Sequence, residues 1–276
     1  MKKIIIIAEA GINHNGNLNR SLRLIDAAAY AGADYIKFQH TNPNLISPYA
    51  RKANYQIEKF NKDKSQKKMI EKINFNWEKI YPILLKRCKI KKIKFLTSTF
   101  SVKDFLKIKR LKLEFIKIPS GEIVNLPLLK EISKSKKKIL LSTGMSDVKE
   151  IKTAINILTK YNSKKRIFLM HCVSDYPTKN KDINLNTINF FKDKFKIQVG
   201  FSDHTLGIDA PILSVALGVK VIEKHFTLSK KLIGPDHKVS LNPLEFKNMV
   251  KKIRETEQIL GKKKKIITKY EKKTKK

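Results

Sequence analysis

The sequence has little cysteine, little acidic charge and no long apolar run, and each shortage excludes a class of protein. Two cysteines, Cys88 and Cys172, give neither a disulfide framework nor the spacing of a cysteine metal site, so we expect both to be packing residues. Because no run of about 18 uncharged apolar residues occurs, we expect no membrane span. The apolar stretch at 4–8 is short and Glu9 follows at once, which predicts a buried first strand in a cytoplasmic protein rather than a signal peptide.

Acidic residues number 24 against 60 lysines and arginines, which gives a net charge of +36 over 276 residues. Such an excess can indicate a polyanion partner. The lysines are nevertheless spread along the chain and are not interleaved with aromatic residues, and isoleucine and asparagine are also frequent. We therefore expect a general bias of composition rather than a nucleic-acid partner, with a charge that favours the approach of small anionic substrates.

Eight short runs of isoleucine, leucine, valine and phenylalanine alternate with amphipathic stretches. The runs lie at 3–9, 35–39, 93–97, 114–118, 138–142, 166–171, 197–201 and 220–224. Strands that are apolar along their whole length are typical of a parallel sheet covered on both faces. Eight β/α units in about 250 residues predict a single-domain (β/α)8 TIM barrel over residues 1–261. A doubly wound open sheet is the alternative, but it usually has fewer strands and a glycine-rich first turn.

Three segments carry further expectations. Residues 41–72 are too long for a plain connection and follow the second strand, which predicts a partly ordered excursion over the site. Residues 262–276 form a basic tail that we expect to be solvated. The helical stretch near 73–90 contains Pro82, so we expect that helix to begin or kink there.

The carboxyl ends of the predicted strands are all polar, and in a barrel that rim carries the chemistry. The start of a loop is usually polar, so this alone means little. Lys37, Lys117 and Glu223, however, interrupt apolar strands, where an unpaired charge is costly to bury. These side chains need partners, and a charged ligand would supply them. The two lysines, together with nearby hydroxyl groups, predict a cradle for an anion such as phosphate. Those hydroxyl groups belong to Thr97, Ser98, Ser120, Ser142 and Ser202.

Two of the six histidines occupy matching positions in "FSDHT" and "VIEKHF". His204 and His225 each follow an apolar run, on strands that would be neighbours about 5 Å apart. Two neutral imidazoles near a carboxylate suit a divalent ion such as Mn²⁺ with positions left open for water or substrate. An acid/base pair of histidines is the alternative. Glu9, on the first strand, would close the ring of polar groups beside the eighth.

Several longer stretches resemble the sialic acid synthase family, which includes N-acetylneuraminate, legionaminate and pseudaminate synthases. They are "AEAGINHNGNLNRSLRLIDAAAYAGADYIKFQ", "IKIPSGEIVNLPLL", "ILLSTGMS", "HCVSDYP", "GFSDHTLGIDAPILSVALGVKVIEKHFTL" and "GPDHKVSLNPLEF". The likeness runs from about residue 4 to about residue 261, and "SDHT", "EKHFT" and "GPDH" together are specific. It differs from the family at Thr99, where a proline is usual, and at His40, where threonine is common.

The resemblance implies a TIM-barrel transferase that condenses phosphoenolpyruvate with an N-acetylmannosamine-type sugar aldehyde. The product would be a nine-carbon 2-keto acid, with release of phosphate. The resemblance assigns Mn²⁺ or Mg²⁺ to His204 and His225, and the acid/base role to Glu223, so that Glu223, Glu9, His204 and His225 form the predicted catalytic group. It assigns phosphoenolpyruvate to Lys37, Ser98, Lys117, Ser120, Ser142 and Ser202. It assigns the sugar to Glu9, Gln39, Ser174, Tyr176 and Asp236.

The resemblance also implies a homodimer, and it covers the catalytic barrel only, with the family's small antifreeze-like C-terminal domain expected to be absent. Three other functions stay open on the sequence. They are the same chemistry on a diacetamido-hexose, as in legionaminate or pseudaminate synthases, an inactive ligand-binding barrel, and polyanion binding driven by net charge, which would weaken steeply with salt.

Overall fold

Eight parallel strands close into a barrel in which each strand pairs with its neighbours in chain order. The computed structural model of the chain describes residues 3–52, 56 and 64–275. The strands are β1 (Ile5–Gly11), β2 (Tyr35–Gln39), β3 (Lys94–Ser98), β4 (Phe115–Ile118), β5 (Lys138–Ser142), β6 (Ile167–His171), β7 (Gln198–Asp203) and β8 (Val221–His225). The barrel closes between β8 and β1, where Ile5 lies opposite Val221 and Glu9 opposite His225. The predicted TIM barrel is confirmed, and closure excludes the open-sheet alternative.

Amphipathic helices cover the outside of the barrel. Those in the described part of the chain are α1 (Leu18–Tyr30), α2 (Gln66–Ile73), α3 (Trp77–Ile90), α4 (Val102–Lys109), α5 (Leu126–Lys134), α6 (Val148–Thr159), α7 (Thr187–Phe195), α8 (Asp209–Ala216) and α9 (Pro243–Leu260). A further helix, α10 (Lys269–Thr274), lies in the exposed tail and buries no residue. Local capping chemistry sets several of the starts. At the start of α6 the side chain of Asp147 accepts a hydrogen bond from the backbone N–H of Glu150, and the side chain of Glu150 accepts one from the backbone N–H of Asp147. Pro243 opens α9, where a missing backbone N–H costs nothing.

The prediction that the third helix begins at Pro82 is wrong. Helix α3 begins at Trp77, so the proline lies inside it. The buried face of the helix continues across the proline through Trp77, Tyr81, Leu84 and Cys88. Burial of these large side chains outweighs the hydrogen bond that the proline removes.

The apolar residues form two layers separated by the sheet. The outward-facing residues of the strands pack against the helices in the larger core. The inward-facing residues fill the lower part of the barrel, in a separate cluster of Ile7, Tyr35, Leu96, Phe115, Leu140, Phe168, Met170 and Val221. Gly200 makes room for one of them, since a Cβ atom there would lie 2.3 Å from the sulfur of Met170. The barrel interior is therefore a packed plug below the rim.

The excursion predicted at 41–72 falls partly outside the described residues. The described part forms a short 3-10 turn at Pro43–Leu45 and helix α2, and the side chain of Gln56 donates to Asp236 in the segment that follows β8. Residues 262–275 are exposed along their length, as expected of a solvated tail. None of the helices in the described residues has the length and apolarity needed to cross a bilayer.

Candidate active site

A polar layer lies inside the barrel directly above the apolar plug. Successive inward-facing positions on a strand are two residues apart, so each residue of the plug predicts the residue above it. Advancing two positions from Ile7, Tyr35, Leu96, Phe115, Leu140 and Val221 gives Glu9, Lys37, Ser98, Lys117, Ser142 and Glu223. The same strands thus change from apolar to polar on their inner face at one level, which places the site at the carboxyl end of the barrel.

Two lysines and two glutamates of this layer form a continuous chain of charges. Lys37 Nζ lies 3.1 Å from Glu9 Oε1 and 3.5 Å from Glu223 Oε1. Lys117 Nζ donates to the same Glu223 oxygen at 2.8 Å, and Ser202 Oγ donates to it at 3.0 Å. None of the four charged residues is more than 4 % exposed. Charges buried to this degree persist only when paired, so the sequence-based expectation that they need partners is confirmed.

The environment moves the pKa values of the two carboxyl groups in opposite directions. Burial raises the pKa of Glu9, and this effect outweighs the opposing influence of Lys37. Burial alone would also raise the pKa of Glu223, but Lys117 and Lys37 together bring it well below its usual range. Glu223 is therefore held as a carboxylate, whereas Glu9 takes up a proton more readily than Glu223 does.

Several polar atoms of this layer lack partners. Among the described residues, Oε2 of Glu9, Oε2 of Glu223 and the hydroxyl of Ser98 are buried and make no hydrogen bond. Ser98 lies opposite Lys117 in the register of β3 and β4. Buried polar atoms are nearly always hydrogen-bonded, so a cluster of exceptions marks a place that a polar ligand completes.

Gly144 and three side chains form a second, adjoining part of the layer. The backbone N–H of Gly144 donates to Ser120 Oγ at 3.1 Å, and Cys172 Sγ lies 3.3 Å from the same oxygen. A Cβ atom on Gly144 would lie 2.2 Å from Ser174 Oγ and 2.9 Å from Ser120 Oγ. Only glycine therefore allows these hydroxyl groups and the backbone to converge, as an anion cradle requires.

On the role that the resemblance assigns to Ser120, replacing Gly144 by alanine should weaken phosphoenolpyruvate binding by about tenfold or more, because the new methyl group displaces the Ser120 hydroxyl group. The measurement is the KM for phosphoenolpyruvate together with its dissociation constant from calorimetry. Gly121→Ala is the matched control, because its Cβ atom would meet nothing within 4 Å although it adjoins Ser120. Equal KM values for the two variants would contradict this assignment of the cradle.

His204 and His225 meet above the charged layer, with ring centroids 5.6 Å apart. The ring of Tyr176 lies 4.1 Å from that of His204 and 5.7 Å from that of His225. His204 Nδ1 lies 2.6 Å from the carbonyl oxygen of Val173. Because a carbonyl oxygen only accepts, Nδ1 carries the proton and Nε2 keeps its lone pair. The sequence-based expectation that the two histidines share one place is met.

The electrostatics of the two histidines fit a divalent cation. Burial, and then the nearby His225, lowers the pKa of His204 to about 3. Burial also lowers the pKa of His225, whose buried Nδ1 has no hydrogen-bond partner among the described residues. Both rings are neutral at neutral pH, as metal ligands must be. No group of three or more histidine, cysteine, aspartate or glutamate side chains in residues 3–52, 56 and 64–275 is arranged to hold a metal. An ion here would take its other ligands from water or substrate.

The structure brings most of the predicted sugar-facing residues to the rim. Gln39 donates to Glu9 Oε1 at 3.1 Å. Asp236 is buried and accepts a hydrogen bond from Gln56 Nε2 at 3.2 Å, and its negative charge favours the higher pKa of both His225 and Tyr176. Ser174 adjoins Gly144, as described above.

Thr97 was predicted to contribute a hydroxyl group to the anion cradle, but it does not belong to the inward-facing polar layer. It alternates with Ser98, so its side chain faces the helices, and its hydroxyl group donates to the backbone carbonyl of Ser98 at 3.4 Å. Its orientation therefore removes Thr97 from the predicted anion cradle.

Two residues of the site were missed from the sequence. Cys172 was expected to be a packing residue like Cys88, but only Cys88 lies in the core between sheet and helices. Cys172 contacts Ser120 in the site. Its position could have indicated this, because Cys172 lies two residues after Met170, which faces the barrel interior, and residues two apart on a strand face the same way. Gly144 was missed because nothing in a sequence shows at which glycine an added side chain would collide with its neighbours.

Comparisons with known proteins show the family to which the chain belongs. The model of the NeuB family matches residues 24–265. The chain belongs to the NeuB family. It is 46 % identical to the N,N'-diacetyllegionaminic acid synthase of Campylobacter jejuni, over 95 % of this chain and 78 % of that protein. It is 39 % identical to the N,N'-diacetyllegionaminic acid synthase of Legionella pneumophila, over 93 % and 73 %.

A crystal structure of N-acetylneuraminic acid synthetase from Leptospira borgpetersenii superposes on this NeuB-family chain with a TM-score of 0.87. The two are 36 % identical, and the match covers 99 % of this chain and 90 % of that one. Membership in the NeuB family confirms both the predicted family and the prediction that the chain is an enzyme. The relatives named here are synthases of nonulosonic acids, the group of sugar acids to which the sequence had pointed.

Proposed function

We propose that this NeuB-family chain condenses phosphoenolpyruvate with a diacetamido-hexose in its aldehyde form, giving a nine-carbon 2-keto acid and phosphate. The observation that carries the proposal is the buried array of Lys37, Glu223 and Lys117 below a pair of neutral histidines. Both lysines are inward-facing and fixed by one carboxylate, so they are held ready for an anion rather than free to move.

The choice of sugar rests on the relatives. Both the N-acetylmannosamine-type substrate and the diacetamido alternative are compatible with the family. Two relatives with 46 % and 39 % identity are named as diacetyllegionaminic acid synthases, which favours the diacetamido sugar. Glu9, Gln39, Ser174, Tyr176 and Asp236 are the rim residues that we propose to contact it.

In the proposed reaction, C3 of phosphoenolpyruvate forms a bond to the aldehyde carbon and the aldehyde oxygen takes up a proton. Glu9 supplies that proton, since its raised pKa keeps a proton available. Water adds to C2 and passes one of its protons back to Glu9. The C2–O bond to phosphate then breaks while the new C2 hydroxyl group becomes the ketone, and its remaining proton leaves with the phosphate as hydrogen phosphate. Glu223, which stays ionised, stabilises positive charge that develops at C2. The pKa directions thus move the predicted proton-transfer role from Glu223 to Glu9.

Lys37, Lys117 and the hydroxyl groups of Ser98, Ser120, Ser142 and Ser202 would hold the carboxylate and phosphate groups of phosphoenolpyruvate. The leaving phosphate gains charge as the C2–O bond breaks, so these donors act most strongly in the transition state. His204 and His225 would hold Mn²⁺ or Mg²⁺. When bound, the cation supplies Lewis-acid polarisation of the aldehyde oxygen. We further propose that the enzyme is cytoplasmic and acts as a homodimer.

The pH dependence of kcat should report the protonation of Glu9. Because burial raises its pKa, kcat should fall as pH rises through that raised value. Gln39 donates to the Glu9 carboxylate and so lowers its pKa. Gln39→Leu should therefore move the falling limb to higher pH. The measurement is kcat at saturating sugar from about pH 5 to about pH 9. In Glu9→Gln the fall of kcat with rising pH should disappear, and kcat should be about a hundredfold lower. If the fall persists in that variant, the titrating group is not Glu9.

An isotope experiment tests the proposed bond cleavage. Phosphoenolpyruvate that carries ¹⁸O between C2 and phosphorus should deliver all of the label to phosphate, because the C–O bond breaks. Mass spectrometry of both products decides the matter. Label found in the keto acid would mean that the P–O bond breaks, and the sequence of steps above would be wrong.

A further inference from the structure

A buried ion pair lies on the outer face of the sheet directly behind the two histidines. Strand alternation sends His204 and His225 inward and the residues before them, Asp203 and Lys224, outward. Asp203 and Lys224 are register partners across β7 and β8. Lys224 Nζ donates to Asp203 Oδ2 and to the backbone carbonyl of Thr205, and both charged residues are 1 % exposed.

Asp203 also fixes the chain on the other side of His204. Its Oδ1 accepts from the backbone N–H of Thr205 at 2.9 Å, and its Oδ2 accepts from the Thr205 hydroxyl at 3.1 Å. Both neighbours of His204 in the chain are therefore joined to each other and to the residue before His225. We call these three residues, Asp203, Thr205 and Lys224, the latch.

The layer between sheet and helices that surrounds the latch is apolar, so apolar side chains could fill the space that its charged residues occupy. The outward-facing positions two residues earlier on the same strands are Phe201 and Ile222, which are 0 % exposed and belong to the apolar core. An ion pair buried in such a layer is often no more stabilising than apolar residues of similar volume. What a buried pair does supply is a unique geometry, because any slip of one strand leaves a charge without its partner.

We propose that the latch is a positioning device that fixes the two imidazoles at the separation a divalent cation requires. None of its residues faces the barrel interior, so it acts through His204 and His225 and not by contact with substrate. The proposal rests on the proposed metal role of the histidines. It predicts that loss of the latch weakens metal binding far more than phosphoenolpyruvate binding, because Ser202 is the one proposed phosphoenolpyruvate contact that lies on β7 or β8.

The test measures Mn²⁺ binding directly, on the purified full chain without substrates, from the electron paramagnetic resonance signal of the free ion. Asp203→Asn/Lys224→Met removes both charges and leaves an acceptor for the Thr205 N–H. We expect its dissociation constant for Mn²⁺ to rise about tenfold or more, as when a group that orients a metal ligand is lost. The dissociation constant for phosphoenolpyruvate should stay within about twofold. Thr205→Val, which removes only one hydroxyl, should show a smaller effect in the same direction.

Ile222→Ala is the matched control for a general loss of stability. It removes buried volume from β8 two residues before Lys224 and leaves the latch intact. If the control weakens Mn²⁺ binding as much as the double variant at equal melting temperature, the positioning role is wrong. It is equally wrong if wild type binds Mn²⁺ and the double variant binds it within about twofold as tightly. Failure of wild type to bind Mn²⁺ would instead refute the metal role of the histidines, and the latch proposal with it.

Discussion

Replacing Lys117 by methionine is expected to lower kcat/KM for phosphoenolpyruvate by about a hundredfold to a thousandfold. The variant removes a charged donor that faces the proposed phosphate position, and methionine keeps most of the side-chain volume. Glu223 still keeps Lys37 and Ser202 as partners, so the fold should survive. The measurement is steady-state kinetics with phosphoenolpyruvate varied, beside a thermal melt.

The control for this variant is Lys138→Met. Lys138 also lies on a barrel strand, but at the opposite end of the barrel, exposed and paired with Glu114. Its loss removes the same charge from the protein, and kcat/KM should stay within about twofold, because exposed ion pairs contribute little. If both variants lose activity equally, the effect is one of net charge. A kcat/KM for phosphoenolpyruvate that is unchanged in Lys117→Met would remove this lysine from the site.

His225→Ala is expected to abolish the response of the enzyme to Mn²⁺ and to reduce kcat by about a hundredfold or more. His225 is one of the two neutral imidazoles that face each other at the rim, and one alone binds a divalent ion poorly. Phosphoenolpyruvate binding should be preserved, because the charged layer below is untouched. The measurement is initial rate against Mn²⁺ concentration in protein stripped with a chelator.

His171→Gln provides the comparison for His225→Ala. His171 also lies at the carboxyl end of a strand and is buried, but its Nε2 bonds to the carbonyl oxygen of Ile183 on the helix side. Glutamine can keep that bond, so metal dependence should persist. Unchanged activity and an unchanged Mn²⁺ response in His225→Ala would leave the histidines as an acid/base pair or as structural residues.

The fold was predictable because the strands of a barrel are apolar on both faces and regularly spaced. The same reasoning found Lys37, Lys117 and Glu223, since a charge inside an apolar strand stands out. It also found His204 and His225, because adjacent parallel strands end at the same rim.

The failures arise from features that a one-dimensional pattern does not contain. Thr97 and Ser98 are adjacent hydroxyl residues at one strand end, and a shift of a single residue exchanges the two faces of a strand. Only the register with β4 shows that Ser98 faces Lys117. The obstruction at Gly144 and the contact of Cys172 with Ser120 depend on loops from different strands meeting in space. The same is true of the latch, whose charges look like ordinary loop polarity in the sequence.

The most direct test of the proposed function is the release of phosphate from phosphoenolpyruvate, with Mn²⁺ present, with and without sugar. We expect no release without sugar, release with N-acetylmannosamine, and release with its diacetamido analogue at a kcat/KM at least about tenfold higher. The assay must include a direct measurement of phosphoenolpyruvate binding. If phosphoenolpyruvate binds but neither sugar causes phosphate release, the chain is a ligand-binding barrel and not a synthase.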